Sequence, residues 1–327
     1  MKNSLLHLFC TALIISLLAL GASCGSENET RRLSIGLMPA VDSAPMLLAQ
    51  EKGYFADAGV EMDITIYTNA QNRQSALQSG EIDGAMTDLV ALTTNVNSGF
   101  DIKGVMMTEG LFPVLTAPDF KTPASAEHHG GDPGNQTEEQ ESGEKPEVSV
   151  GMMEVSVSNY LSDRRLSEDY RVKKVYINEI PLRLEALLSG KLDMGIFPEP
   201  IASLGALRGL NKQMYEEESC PDIMVFTGKA MKEKGEAIGS YIQGYNRAAE
   251  DIRKNPDLAR EILVEKISSL NREIQEAISL PDYPPARLQS DGYVKDIVAW
   301  TGDIIEEEID LAPEDLLNRE FVDTWSE

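Results

Sequence analysis

Histidine is nearly missing from this chain: three residues in 327, at His7, His128 and His129. His7 lies in an apolar leader, and the other two lie in a stretch dominated by Gly, Pro, Ser and Glu, so no histidine belongs to a folded core. Cysteine is equally scarce, at Cys10, Cys24 and Cys220. These absences exclude a Ser/His or Cys/His pair for nucleophilic catalysis and leave no spacing of soft ligands for a metal site. The HHGGD run sits in a flexible setting that dilutes its ligands. No glycine-rich loop opens a helix in the manner of a phosphate-binding loop, so neither a cofactor nor a metal is expected. Basic residues are also in deficit, 29 against 54 acidic ones, for a net charge of −25. Such a field repels nucleic acid and anionic headgroups. The carboxylates themselves can form an acid–base pair, as in any acidic protein. Cys220, beside Pro221, reads as a small buried hydrophobe. With the other two cysteines in the leader, the body must be held together by burial alone.

What is present begins with that leader. Lys2 precedes an uncharged apolar stretch from Leu5 to Leu20, followed by Gly21-Ala22-Ser23-Cys24 and the polar SENET. This is the layout of a secretory signal, residues 1–23, with small residues at the cut. The site resembles a bacterial lipobox in which Gly21 replaces the usual leucine. Cys24 would then be the acylated terminus, with 24–31 as a tether to the outer face of the cytoplasmic membrane.

The body says one phrase twice. ALQSGEID spans Ala76 to Asp83, and ALLSGKLD spans Ala186 to Asp193, 110 positions later. Each copy reads as the end of a helix, a left-handed glycine cap and the start of a buried strand. A period of that size is about one small lobe, which predicts two similarly built halves enclosing a cleft.

Around the phrases the pattern alternates. Leu33 to Leu37 reads as a strand, Ser43 and Pro45 open a helix through Met46 to Gln50, and Met62, Ile64 and Ile66 alternate as a strand. Asn69 caps a helix to Gln78. Strand Gly84 to Met86, helix Leu89 to Val96 and strand Lys103 to Met107 follow. After 119–147, an acidic segment without periodic apolar residues read as a disordered insertion, the rhythm resumes. It gives strand Val148 to Gly151, a helix around Asn159 to Arg165, strand Val172 to Ile177, helix Leu182 to Leu188 and strand Met194 to Phe197. Ile238, Tyr241, Ile242 and Tyr245 share one face of a helix ending near Asn255-Pro256, and Ile297, Val298 and Trp300 mark a later one. The expectation is an α/β protein with largely parallel sheets.

From Met38 to Ile64 the run MPAVDSAPMLLAQEKGYFADAGVEMDI resembles the opening of solute-binding proteins of the alkanesulfonate, nitrate and thiamine-pyrimidine group. Ala44-Pro45, Ala49, Glu51-Lys52-Gly53-Tyr54-Phe55 and Gly59 match in order. The AL.SG..D phrase, Phe197-Pro198-Glu199-Pro200 and NPDLAREIL from Asn255 to Leu263 extend the likeness over nearly the whole body. The resemblance implies a two-lobed type II periplasmic-binding-protein fold. Lobe one would be 32–118 plus 224–327 and lobe two 148–221, with the insertion where the chain first crosses. It also implies an exported receptor that hands a small solute to an ABC permease and its ATPase.

Ligands of open parallel sheets gather at the carboxyl ends of the strands. On one wall those positions are Met38, Asp42, Ser43, Thr68, Asn69, Thr87 and Asp88. On the other they are Thr108 and Phe112 near the crossing, then Glu154, Ser156, Asn178 and Glu199. Ser43 and Asn69 are equally explained as helix caps. Asp42, Asp88, Glu154 and Glu199 together favour a ligand with amine or ring N–H donors, which tilts the class toward a pyrimidine rather than a sulfonate or nitrate. An enzyme on the same scaffold acting on a small carboxylate, or a lipoprotein sensor, are the alternatives.

Overall fold

The computed structural model describes residues 31–121, 145–215 and 220–325; the expected signal, Cys24, the tether up to residue 30 and most of the 119–147 insertion lie outside the described residues. The first sheet has the order β2-β1-β3-β10-β4, built from β1 (Arg32–Leu37), β2 (Glu61–Ile66), β3 (Gly84–Asp88), β4 (Ile102–Met107) and β10 (Asp222–Thr227). The second has the order β7-β6-β8-β5-β9, from β5 (Val114–Thr116), β6 (Glu147–Met152), β7 (Arg171–Tyr176), β8 (Met194–Ile196) and β9 (Asn211–Gln213). In each sheet the first three strands are parallel, and the fourth, β10 or β5, runs antiparallel to its neighbours.

Two boundaries differ from expectation. Val114–Thr116 pairs with Met194–Ile196 and Asn211–Gln213, so the chain leaves the first sheet after Met107 and residues 114–116 belong to the second lobe. The 119–147 segment consequently interrupts the second lobe between β5 and β6, rather than marking the crossing. The return crossing precedes Asp222.

Helices cover both faces. The first lobe carries α1 (Ala44–Glu51), α2 (Tyr54–Asp57), α3 (Ala70–Ser79) and α4 (Leu89–Asn97). The second carries α5 (Val157–Leu166), α6 (Ile180–Leu188) and α7 (Ile201–Leu207). The chain then returns through α8 (Gly228–Glu233), α9 (Gly235–Lys254), α10 (Asp257–Lys266), α11 (Asp291–Ile305), α12 (Pro313–Leu316) and α13 (Glu320–Trp325). The predicted face of α9, with Ile238, Tyr241, Ile242 and Tyr245, is buried against α1 and the first sheet. A second core runs from α4 across α11 to α5 and β6 of the other lobe, where Tyr160 meets Trp300 edge-on at 5.4 Å. Trp300 Nε1 donates to Asp163 at 3.0 Å, and Asp163 also pairs with Lys174 at 2.7 Å.

The repeated phrase has a structural meaning in both lobes. Gly80 and Gly190 take φ of 76° and 69°, the left-handed caps a glycine adopts without strain. Asp83 Oδ2 accepts from the backbone N–H and hydroxyl of Ser34 at 2.8 and 2.9 Å. Asp193 Oδ2 accepts from the same two groups of Ser149 at 2.8 and 2.6 Å. The phrase thus latches the third parallel strand of each sheet to the first parallel strand, and among the described residues Asp83 alone of the two adds an ion pair, with Lys234 at 2.8 Å.

Candidate functional site

The carboxyl edge of the first sheet faces the second lobe. Across the gap Val41 N–H donates to the Glu199 carbonyl at 3.0 Å, and Asn69 Nδ2 donates to Glu179 at 3.2 Å. Burial at this edge gathers a charged cluster. Asp42 sits in the 3₁₀ turn after β1, Asp88 ends β3, and Asp222 opens β10 directly opposite Asp88. Between them lies Arg73, sent inward from the first turn of α3. It donates from Nη2 to the Thr87 hydroxyl at 3.1 Å. Thr108 donates to Asp42 Oδ2 at 2.9 Å, whereas Asp42 Oδ1 and Arg73 Nε are buried without a partner among the described residues. Glu109 joins from after β4 but has its own cation, Arg287, at 3.0 Å.

Three carboxylates, two of them buried and Asp88 half-buried, therefore act on one buried guanidinium, none within ion-pair distance among the described residues. Burial pushes the Asp42 carboxyl up to about 6, opposed by the Thr108 hydrogen bond. Burial likewise raises Asp222, reinforced by the neighbouring Asp42 and Asp88, and burial raises Asp88 against the hydrogen bond from the Ala91 N–H. A buried site this acidic offers acceptors in excess of donors.

The predicted positions divide accordingly. Asp42, Thr87, Asp88 and Thr108 come together around Arg73, with Asp88 also capping α4 through Ala91 at 2.9 Å. Ser43 is fully buried, but its hydroxyl turns back to the Ala40 carbonyl at 2.7 Å instead of capping α1. Asn69 does cap α3, through Gln71 and Asn72. Met38 packs on the first core and Thr68 is exposed. Phe112 packs in the second core, and its carbonyl accepts from Arg165. On the second lobe Glu154 and Asn178 are exposed, so neither joins the acidic cluster. Ser156 bonds to Ser158 at 2.8 Å, and on the helix that follows Asn159 Oδ1 and Ser162 Oγ are buried without partners among the described residues. Glu199 differs most from the expectation of a ligand-facing acid. Its fully buried carboxylate is occupied by Lys212 at 2.8 Å and by the Ser203 hydroxyl at 3.0 Å and N–H at 3.1 Å. Lys212 also reaches Ser279 at 2.9 Å, which ties the second lobe to the segment after α10.

Sequence reasoning passed over Arg73, Glu109 and Asp222. A signal for Arg73 exists: the repeated phrase extends backward, with Arg73 and Arg183 each three residues before its Ala-Leu, and both are buried. Among the described residues no three His, Cys, Asp or Glu side chains converge as metal ligands. Cys220 is buried and held in Gly110's loop, with burial raising its thiol far above the range in which it would act as a nucleophile.

Solved structures share this architecture. A ligand-binding component of an ABC-type import system from Staphylococcus aureus, with zinc bound, superposes at a TM-score of 0.68 and 14% identity, covering 90% of this chain and 99% of its own. The alkanesulfonate-binding protein SsuA from Xanthomonas axonopodis pv. citri, bound to MOPS, gives 0.64 and 15%, covering 88% and 98%. The periplasmic nitrate-binding protein NrtA from Synechocystis PCC 6803 gives 0.58 and 12%, covering 84% and 80%. At these identities the likeness establishes the fold, that of the two-lobed periplasmic binding proteins. No curated protein matches the sequence. The sequence profile of the NMT1-like family matches residues 26–203, more than half of the chain, and the chain therefore belongs to the NMT1-like family.

Proposed function

We propose that this protein is the exported solute-binding component of an ABC import system. It captures a small nitrogen-containing organic solute between its lobes and presents it to a permease driven by an ATPase. The observation that carries the solute class is the cluster of buried Asp42 and Asp222 and half-buried Asp88 acting on Arg73, with Asp42 Oδ1 unpartnered among the described residues. Ring N–H or amine donors satisfy such acceptors and a bare anion does not, which favours an aminopyrimidine of the thiamine-precursor kind over sulfonate or nitrate. Closure is a population shift: a solute that touches both lobes only when they meet stabilises the closed state by its differential affinity. Export by the leader and acylation at Cys24 would hold the receptor near its permease, outside the cytoplasmic membrane. No helix among the described residues is long and apolar enough to cross a membrane.

The test is thermal unfolding of the purified protein, stripped of carried-over solute by partial unfolding and dialysis. The panel contains pyrimidines, sulfonates, nitrate and amino acids. A solute at a hundred times its Kd adds about 2.7 kcal/mol of stability, a rise of several degrees in midpoint. Stabilisation by aminopyrimidines supports the reading, response to nitrate or simple sulfonates alone removes the preference, and a flat response to all classes removes the receptor reading. One feature favours catalysis instead, the Asp42 carboxyl poised at about 6, where a general acid or base works best. Chromatography of panel solutes incubated with the protein detects turnover directly.

A further inference from the structure

The two lobes place equivalent arginines in opposite electrostatic surroundings. Arg73 and Arg183 are 110 residues apart, each in the first turn of the helix that follows the second parallel strand of its sheet. Each slides past a glycine of the first parallel strand of its sheet. A Cβ on Gly36 would meet Arg73 Cγ at 3.1 Å, and one on Gly151 would meet Arg183 Cγ at 3.0 Å. Arg73 feels the charges of Asp88, Asp222 and Asp42, although none of them lies within ion-pair distance among the described residues. Arg183 is 2% exposed, likewise has no carboxylate within ion-pair distance among the described residues, and no carboxylate charge offsets its burial. Its guanidinium donates from Nη1 to the Ile177 carbonyl at 3.1 Å, lies 5.2 Å from the Phe197 ring centre, and leaves Nε without a partner.

A buried cation without a counter-ion is costly, and such groups are normally paired. Gly151, Ile177 and Phe197 lie at or just beyond the carboxyl ends of β6, β7 and β8, so Arg183 sits at the edge of the second sheet that meets the first lobe. The neighbouring Glu179 and Glu199 make the contacts with Asn69 and Val41 across that gap.

We infer that Arg183 is the second lobe's subsite for an anionic group of the solute, so that the ligand is dipolar, with N–H donors held by the first lobe's carboxylates and a carboxylate, sulfonate or phosphate held by Arg183. This inference rests on the receptor reading above and narrows it. The charge asymmetry also supplies a reason to close: a dipolar solute is fully matched only when both edges reach it.

The experiment compares matched probes by calorimetry on the stripped protein and on Arg183→Met and Arg183→Lys. The pairs are 4-aminopyrimidine-5-carboxylate with its carboxamide, and taurine with ethanolamine. In the wild type the acid of at least one pair binds at least tenfold more tightly than its neutral or cationic counterpart. In R183M that preference disappears while affinity for the counterpart is unchanged, and R183K keeps part of it. Without solute, R183M unfolds at a midpoint no lower than the wild type, because an unpaired cation has been removed. Equal binding within both pairs, or a preference that survives in R183M, overturns the assignment and leaves the receptor reading intact. A lower midpoint in R183M with unchanged solute preference makes Arg183 a structural residue and also overturns it. No binding by any solute of the wider panel removes the receptor reading itself.

Discussion

Replacing Asp42 by asparagine should make the solute-free protein more stable at neutral pH, and the gain should vanish in acid. Asp42 is 2% exposed, and burial lifts its carboxyl from 3.8 to about 6. Between those values the folded protein keeps a proton that the unfolded chain has released. Stability therefore falls as pH rises through that window and levels off above it. Carrying the carboxyl over that range costs the ionised protein about 3 kcal/mol. Asparagine retains an acceptor for the Thr108 hydroxyl but loses the charge, and its NH₂ inherits the position where Oδ1 has no partner. Those losses, about 1 kcal/mol at any pH, reduce the expected gain to about 2 kcal/mol at pH 8 and leave the variant about 1 kcal/mol less stable than the wild type near pH 3.5. Urea unfolding of both proteins at five pH values between 3.5 and 8 reads the difference, in which contributions from groups common to both largely cancel. A gap that does not change with pH, or one that favours the wild type increasingly above pH 6, would refute the argument.

Two further substitutions probe the frame. Asp83→Ala should cost about 3 kcal/mol and Asp193→Ala about 1–2 kcal/mol, since both lose two charge-assisted bonds to a first-strand serine but only Asp83 also leaves a lysine, Lys234, unpaired. Equal losses in denaturant titration would show that the Lys234 contact adds nothing. Lys212→Met leaves the fully buried Glu199 carboxylate without its cation and should cost about 3–5 kcal/mol, most of it recovered in the double variant Lys212→Met with Glu199→Leu. If the double variant is as unstable as the single one in a thermal melt, the loss comes from packing rather than from the orphaned charge.

The lobes were legible because each repeats a local corner: helix, glycine cap and strand leave a compositional trace, and Gly80 and Gly190 both adopt the left-handed geometry that trace implies. The acidic edge was partly legible, since Thr87 and Asp88 end a recognisable strand, Thr108 directly follows another and Asp42 lies in the turn after a third. Its cation was not. Arginine ordinarily faces water, and only the notch at Gly36 makes room for Arg73 to turn inward. Glu199 read as a ligand contact because nothing in its own neighbourhood announces Lys212, thirteen residues away and on another element. Val114–Thr116 could not be assigned to the second sheet from its letters, because so short a run, two apolar residues and a threonine, fits any buried strand and the partner strands come about 80 residues or more later.

The exchange of strands between sheets also orders events as the chain emerges. The five strands of the second sheet come from one continuous stretch, Val114 to Gln213, while β10, which lies between β3 and β4, arrives only at Asp222. Until then β3 and β4 are left unjoined, each with a bare backbone edge open to pairing with other chains. The lobe whose first residues are synthesised earlier is thus the one that must wait, and a chain truncated before residue 222 would carry one finished sheet and one permanently split.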